Sequence, residues 1–371
     1  MRIDRLEVQN FKKFKSQVFD LHPHFTLLVG ENGSGKTTVL DALAVSLAVW
    51  LIEPPDATLG NSRRNIRSKE IRLEPFRAGD RGQFRDVLPT LVKATGKLLD
   101  QEPVTWVRQV RERGKRTTNA DAKDALAIIR EVYRRDAAGE PILCPVLAYY
   151  GAGRAWLASN QRLPAEAESN GTSRRWSAFY DCFGERIRFD ELRTWFRRET
   201  TAAGIRGGRM RPGFEVVKRA VLGCVTEADN LWFDPDLDQI VLSIEGQAQP
   251  FDNLSAGHRM MLAVAADIAI KAVKQNAHLL SPDGLSHDEE RVPLLLKQTP
   301  GAVLIDELDV HLHPRWQRRC ATDLKRMFPE IQFVCTSHSP QVIGELRREE
   351  VRILDAERVM SPSVAFGADS N

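Results

Sequence analysis

Residues 25–37, FTLLVGENGSGKT, constrain this chain more than any other stretch. The apolar run reads as a buried strand, the glycine-rich run as a tight loop, and the residues from Lys36 to about Trp50 as a helix of good formers. Strand, loop and helix in that order are the setting in which GxxxxGK[ST] holds nucleotide phosphates. Gly30, Gly33 and Gly35 let backbone N–H groups turn inward with no side chain in the way. Lys36 sets a point charge on the β- and γ-phosphates, and the Thr37 hydroxyl suits Mg²⁺. A purely structural glycine turn would leave Lys36 without a purpose.

A second signal lies near the other end. In AVLIDELDVHLHP (302–314), apolar residues carry Asp306 to the carboxyl end of a buried strand, the edge at which doubly wound sheets hold ligands. Asp306 is the expected acidic partner of Mg²⁺. Glu307 points to the other side and is the candidate for polarising an attacking water. His311 and His313 invite a metal reading, but only Asp309 stands near to complete a site, so a contact loop beside the nucleotide is preferred. CTSHSP (335–340) ends another apolar strand, and its His338 would reach the same edge. A third stretch, LSAGHR (254–259), leads a polar turn into an apolar helix, whose N-terminus favours anions.

Composition limits the alternatives. The chain has 371 residues, 42% hydrophobic and 28% charged, which suits a soluble globular protein. No apolar run approaches the roughly 20 residues of a membrane helix, and the N-terminus lacks the apolar core of a signal peptide. Five scattered cysteines without a CxxC pair fit a reducing cytoplasm. The net charge of +3 is uneven: residues 51–230 hold 33 Lys/Arg against 24 Asp/Glu. Arginine clusters at 63–72, 108–116 and 193–211 suggest a polyanion-facing surface, with a solvated basic surface as the plainer alternative.

Along the chain, strands are expected at 2–8, 25–30, 141–150, 240–246, 301–306, 331–336 and 351–355. Helices are expected at 121–135, from an Asp190 cap, at 214–228, after LSAGHR to about Lys274, at 314–328 and from Pro340. Residues 51–140 otherwise read as irregular and 281–293 as a loop. Strand–helix alternation at both ends predicts an α/β fold around one parallel-rich sheet flanked by helices. The expected division is an N-terminal lobe at 1–50 and a basic, mainly helical insertion at 51–230, whose strand 141–150 rejoins the core. A C-terminal lobe at 231–358 and a tail at 359–371 complete it. No internal repeat or sustained heptad is present.

Together these motifs resemble the ABC-type ATPase superfamily. Residues Gly30, Glu31, Asn32, Gly33, Ser34, Gly35, Lys36, Thr37 and Thr38 look like its ATP-binding Walker A. Leu254, Ser255, Ala256, Gly257 and His258 look like its signature, VLIDE its Walker B, Asp309 and His311 part of its D-loop, and His338 its switch histidine. The resemblance covers roughly half of the chain, at both ends. The opening MRIDRLEVQNFKKF is similar to SMC, RecF and OLD-type ATPases, and DELDVHLHPRWQ, FPEIQFVCTSHSPQVI and AYYGAGR to phage-defence ATPases of the Septu and retron kinds. The signature departs from LSGGQ, and 218 residues separate Lys36 from Ser255. The Q-loop glutamine is missing, and Arg154 in AYYGAGR stands near its place. Only 33 residues follow His338, too few for the Toprim nuclease domain of OLD-type proteins.

The resemblance implies an ATPase using ATP and Mg²⁺, with Lys36, Glu307 and His338 in catalysis and Thr37 and Asp306 on the metal. It implies a head-to-tail homodimer in which the signature reads the nucleotide of the second copy. It further implies nucleic acid and an effector, such as an HNH or Toprim nuclease, as partners. No membrane partner is expected. A DNA repair ATPase of RecF/SMC type is the alternative. A transporter ATPase, or a scaffold whose nucleotide is structural, ranks lower.

Overall fold

The computed structural model describes residues 1–78, 81–155, 175–281, 292–355 and 358–360. The chain begins with β1 (Arg2–Phe11), β2 (Phe14–Asp20) and β3 (Phe25–Val29), then α1 (Lys36–Leu47). Four strands follow: β4 (Leu73–Ala78), β5 (Arg81–Asp86), β6 (Thr90–Lys97) and β7 (Val104–Val110). Next come α2 (Lys123–Ala137), β8 (Val146–Tyr150), α3 (Phe189–Ile205) and α4 (Pro212–Cys224). The meander β9 (Ala228–Asp234), β10 (Gln239–Ile244) and β11 (Gln247–Pro250) leads to α5 (Ala256–Gln275). The last part holds α6 (Leu294–Gln298), β12 (Gly301–Ile305), α7 (Pro314–Gln317), α8 (Cys320–Met327) and β13 (Ile331–Thr336). It closes with α9 (Pro340–Ile343), β14 (Val351–Asp355) and β15 (Arg358–Met360).

The central sheet runs β15-β14-β3-β13-β12-β8. All its neighbours are parallel except β14 and β15. It therefore interleaves strands from both ends of the chain, and the carboxyl ends of β3, β12 and β13 stand side by side. The pleat sorts its residues between two cores. Phe25, Leu27, Val303, Ile305, Phe333 and Cys335 face the helices α4, α5 and α8. Leu28, Ala302, Leu304 and Val334 face α1 and the antiparallel sheet.

That second sheet has the order β2-β1-β6-β7. Helix α1 lies between the two sheets, against β1, β6 and β7 on one side and β12 and β13 on the other. Every residue of α1 but Thr37 is buried, so it shows no polar stripe of the surface-helix kind. Its carboxyl end meets β7: Trp106 Nε1 donates to Ser46 O at 3.0 Å and Arg108 Nη1 to Val45 O at 3.0 Å. Helix-end carbonyls favour a cation. Burial without a carboxylate partner still pulls the Arg108 pKa down to about 9. Asp41, also on α1, is bound by Lys12 and by the buried Arg64, which in turn holds Glu70.

Gln332 joins the two sheets. Its side chain accepts from Ile3 N at 2.8 Å and donates to Ile3 O at 2.8 Å and to His22 O at 3.0 Å. These bonds fasten the start of β1 and the turn after β2 to β13.

Several expectations are corrected. Residues 73–110 are four strands, not an irregular or helical segment. In β6 the burial alternates residue by residue, and β6 pairs antiparallel with β1, so this stretch packs with the N-terminal lobe. Strands β2 and β9 were not anticipated, and β1 extends to Phe11. The strand expected over 141–150 is β8 alone, 146–150. The helix expected over 314–328 is two helices separated at residues 318 and 319. Asp190 sits in the first turn of α3 instead of capping it. The tail expected from residue 359 begins as β15, paired to β14, and residues 361–371 lie outside the described residues. So do most of the loop expected at 281–293 and the side chain of Arg154.

Gln332→Leu would leave the Ile3 N–H and C=O without partners. We expect a loss of about 2–4 kcal/mol of stability in chemical denaturation, from the desolvation of buried amide groups.

Candidate nucleotide site

The loop after β3 has the backbone that its glycines predict. Gly30, Gly33 and Gly35 have φ of 153°, 78° and 106°. At Gly35 a Cβ would lie 2.5 Å from Phe14 Cζ, and at Gly30 2.4 Å from the Leu354 carbonyl oxygen. Neither position tolerates a side chain. Lys36 is 7% exposed, and its ammonium donates to Gly30 O at 2.8 Å and Glu31 O at 3.0 Å. Burial lowers its pKa, and the carboxylates of Asp306 and Glu307 oppose that shift. The Ser34 hydroxyl oxygen is buried in the same loop with no hydrogen-bond partner. A cradle with a held ammonium and an unused hydroxyl fits a polyphosphate.

Three chain segments meet at Asp306. Thr37 Oγ1 donates to Asp306 Oδ2 at 2.9 Å and Thr336 Oγ1 to Asp306 Oδ1 at 2.6 Å. The Asp306 amide donates to Tyr150 O at 2.8 Å, which brings the end of β8 beside the end of β12. Thr336 Oγ1 also accepts from Glu307 N at 2.7 Å, and its carbonyl accepts from Leu308 N at 2.8 Å. Glu307 adopts φ of +52°, a conformation uncommon for a side-chain-bearing residue, and the bonds to Thr336 hold it there. A hydroxyl and a carboxylate in contact beside a phosphate loop suit a hard cation such as Mg²⁺.

The structure thus unites Lys36, Thr37, Asp306 and Glu307. His338 is exposed, just beyond β13. Its neighbours bind the D-loop and the helix after it: Ser337 Oγ donates to Asp309 Oδ1 at 2.5 Å and Ser339 Oγ to Gln317 Oε1 of α7 at 2.6 Å. His311 is exposed with φ of +65°. The imidazole of His313 accepts from Arg315 N at the start of α7.

The signature lies apart. Ser255 caps α5 and its hydroxyl accepts from His258 N at 3.3 Å. Leu254 and Gly257 are buried, and Ala256 is half-buried. A Cβ on Gly257 would come within 2.8 Å of His311 O, so the D-loop requires glycine there. Among the described residues, no hydrogen bond or ion pair links 254–259 to 30–38.

Sequence reasoning missed Thr336 and Lys13. The Lys13 ammonium donates to Gly33 O at 2.6 Å, and Phe14 closes on Gly35. The NFKKF run was the available signal, since its two lysines form the turn between β1 and β2 that meets the loop.

The fold and this site define a P-loop ATPase of the SMC/RecF-like class. The chain belongs to the family described as "AAA domain", which matches residues 5–194. A second family, described as "AAA domain, putative AbiEii toxin, Type IV TA system", matches residues 241–344. The chain is similar to "Retron Vc95 probable ATPase" of Vibrio cholerae, at 22% identity over 96% of this chain and 74% of that protein. It is also similar to "Septu protein PtuA" of Bacillus mycoides, at 24% identity over 95% of this chain but 40% of that one. The SMC head domain from Thermotoga maritima shares the fold, with a TM-score of 0.50 at 14% identity, covering 98% of this chain and 100% of the other. The class is thus related to retron and Septu proteins. Among the described residues no helix is long and apolar enough to cross a membrane.

Thr336→Val removes the hydroxyl that orients Asp306 and Glu307 while keeping the shape. ATP turnover is expected to fall about 10–100-fold, the usual cost of losing a group that orients a ligand, with the fold unchanged by circular dichroism.

Proposed function

We propose that this chain hydrolyses ATP as one half of a head-to-tail homodimer, and that the closed dimer gates an effector on nucleic acid in anti-phage defence. The observation that carries the reading is the separation of two half-sites. Thr37, Asp306 and Glu307 are assembled within the chain, whereas Ser255 is an exposed cap with no bond to them. A second copy supplies the missing half.

In this reading residues 30–38 wrap the phosphates and Lys36 neutralises the γ-phosphate. Thr37 and Asp306 hold Mg²⁺, which spreads the charge that develops on the phosphates. Glu307 orients the attacking water, and its backbone is held for that task by Thr336. His338 faces the γ-phosphate from the next strand end, and Asp309 and His311 carry the D-loop to the dimer interface. The partner's signature, Leu254 to His258, touches the γ-phosphate, so hydrolysis removes the group that joins the two chains. Catalysis is positioning and electrostatics.

The cytoplasm is the proposed site of action, which the buried free thiols of all five cysteines suit. The SMC-head fold alone would equally suit a DNA repair ATPase of RecF/SMC type. The likeness to retron and Septu proteins, over 96% and 95% of this chain, favours defence, with an HNH or Toprim nuclease as the effector class.

Glu307→Gln is expected to abolish phosphate release and to lengthen the life of an ATP-dependent dimer, read by steady-state turnover and by mass photometry. Wild-type turnover in that variant would remove Glu307 from its role. Binding to DNA or RNA should weaken steeply between about 50 and 200 mM salt, because phosphate contacts release counterions. Binding that ignores salt would refute contact through the basic surface.

A further inference from the structure

The signature departs from LSGGQ at two positions, and one of them, His258, takes part in a side-chain chain of its own. His258 Nδ1 and Ser255 Oγ are 2.7 Å apart. The imidazole meets the indole of Trp316 at 88°, with centroids 4.2 Å apart. Trp316 Nε1 donates to Glu227 Oε1 at 2.8 Å. The second oxygen of that carboxylate, Oε2, is buried without a hydrogen-bond partner. Ser255, His258, Trp316 and Glu227 therefore form a row from the exposed cap of α5 into the protein.

The chemistry of the Ser255–His258 pair depends on one proton. Serine has a single O–H to donate. When Nδ1 is bare, it accepts that proton, and the hydroxyl has none left for a phosphate. When Nδ1 carries a proton, it donates to Oγ, and the serine proton is free to turn outward. The imidazolium has the second arrangement without choice, since both ring nitrogens are then donors.

We propose that His258 is a positioning residue that sets the direction of the Ser255 proton, and that the imidazolium form is the one that grips the γ-phosphate of the second chain. The inference rests on the head-to-tail reading above. An anionic phosphate arriving at Ser255 stabilises the imidazolium over the neutral ring, so closing the dimer takes up protons. The surroundings support a charged ring: Glu227 lies behind the Trp316 indole that packs edge-to-face with it, and one oxygen of that carboxylate is unused. Trp316 and Glu227 share a small cavity with Arg319, which precedes α8, and Asp323 of α8, which pair with each other at 3.7 Å. His311 approaches from the D-loop through its carbonyl at Gly257. In the lone chain, burial lowers the His258 pKa from the ordinary value, against the pull of Glu227, so the ring starts neutral near pH 7. A group that binds a proton on association makes association tighter as pH falls.

The test uses the full chain carrying Glu307→Gln, with ATP and Mg²⁺, and measures the dimer dissociation constant by mass photometry from pH 6 to pH 8. With His258 present the dimer should be about tenfold tighter at pH 6 than at pH 8, as linkage to protonation of the two sites requires. His258→Asn, whose amide offers an N–H near the Nδ1 position at every pH, should be tight throughout and lose the slope. His258→Phe should be weak throughout and equally flat. A His258→Phe dimer that keeps the pH slope overturns the proposal, as does a His258→Asn dimer that keeps it. Ser255→Ala separates the two levels. If it leaves the ATP-dependent dimer intact, the head-to-tail reading fails and takes this inference with it. If it breaks the dimer while His258→Phe keeps the slope, only the role of His258 fails.

Discussion

The carboxylate of Asp306 receives a hydroxyl on each oxygen, Thr37 from the first turn of α1 and Thr336 from the end of β13. Its amide is bound to the carbonyl of Tyr150 at the end of β8. With β12, at whose end it stands, four elements thus meet at one buried residue, 6% exposed. A carboxyl group so far from water is costly unless its oxygens are satisfied, and here both are. The same threonine that satisfies Asp306 fixes the amide of Glu307 in an uncommon backbone conformation. The proposed metal ligand and the proposed water-orienting group are held by a shared neighbour, so neither can shift without the other.

The rest of the N-terminal lobe serves to immobilise α1. A helix buried on all sides has no solvated face to relax toward, and its polar residues must find partners inside. Asp41 does so through Lys12 and Arg64, and the last-turn carbonyls do so through Trp106 and Arg108. Breaking one member of such a set leaves a buried charge or dipole unmatched, which costs more than the pair contributes when intact. The phosphate loop is therefore mounted on a helix gripped between two sheets, as a group that must meet a polyphosphate with small tolerance should be.

How much of this was legible in the sequence depends on range. GENGSGKT and VLIDE are local patterns, and their strand and helix settings can be read from a dozen residues each. The central sheet was foreseen because its strands are short continuous apolar runs. Residues 73–110 were not, because their alternation is broken by arginines, prolines and glycines, and acquires meaning only once β6 pairs with β1. The burial of α1 was invisible for a related reason: no pattern within the helix announces that a second sheet covers it. Thr336 looked like an ordinary residue before a histidine. Its importance comes from strand order, which sets β13 between β3 and β12.

The strand order also bears on how the molecule comes into being. β3, from the first thirty residues, pairs on either side with β13 and β14, from the last fifty. The bond between Thr37 and Asp306 spans 269 positions of chain. Contacts of such separation form late, after the entropy of closing a long loop has been overcome. During synthesis the phosphate loop leaves the ribosome long before the strands that complete its sheet. A growing or truncated chain therefore has the nucleotide motif but lacks its acidic half.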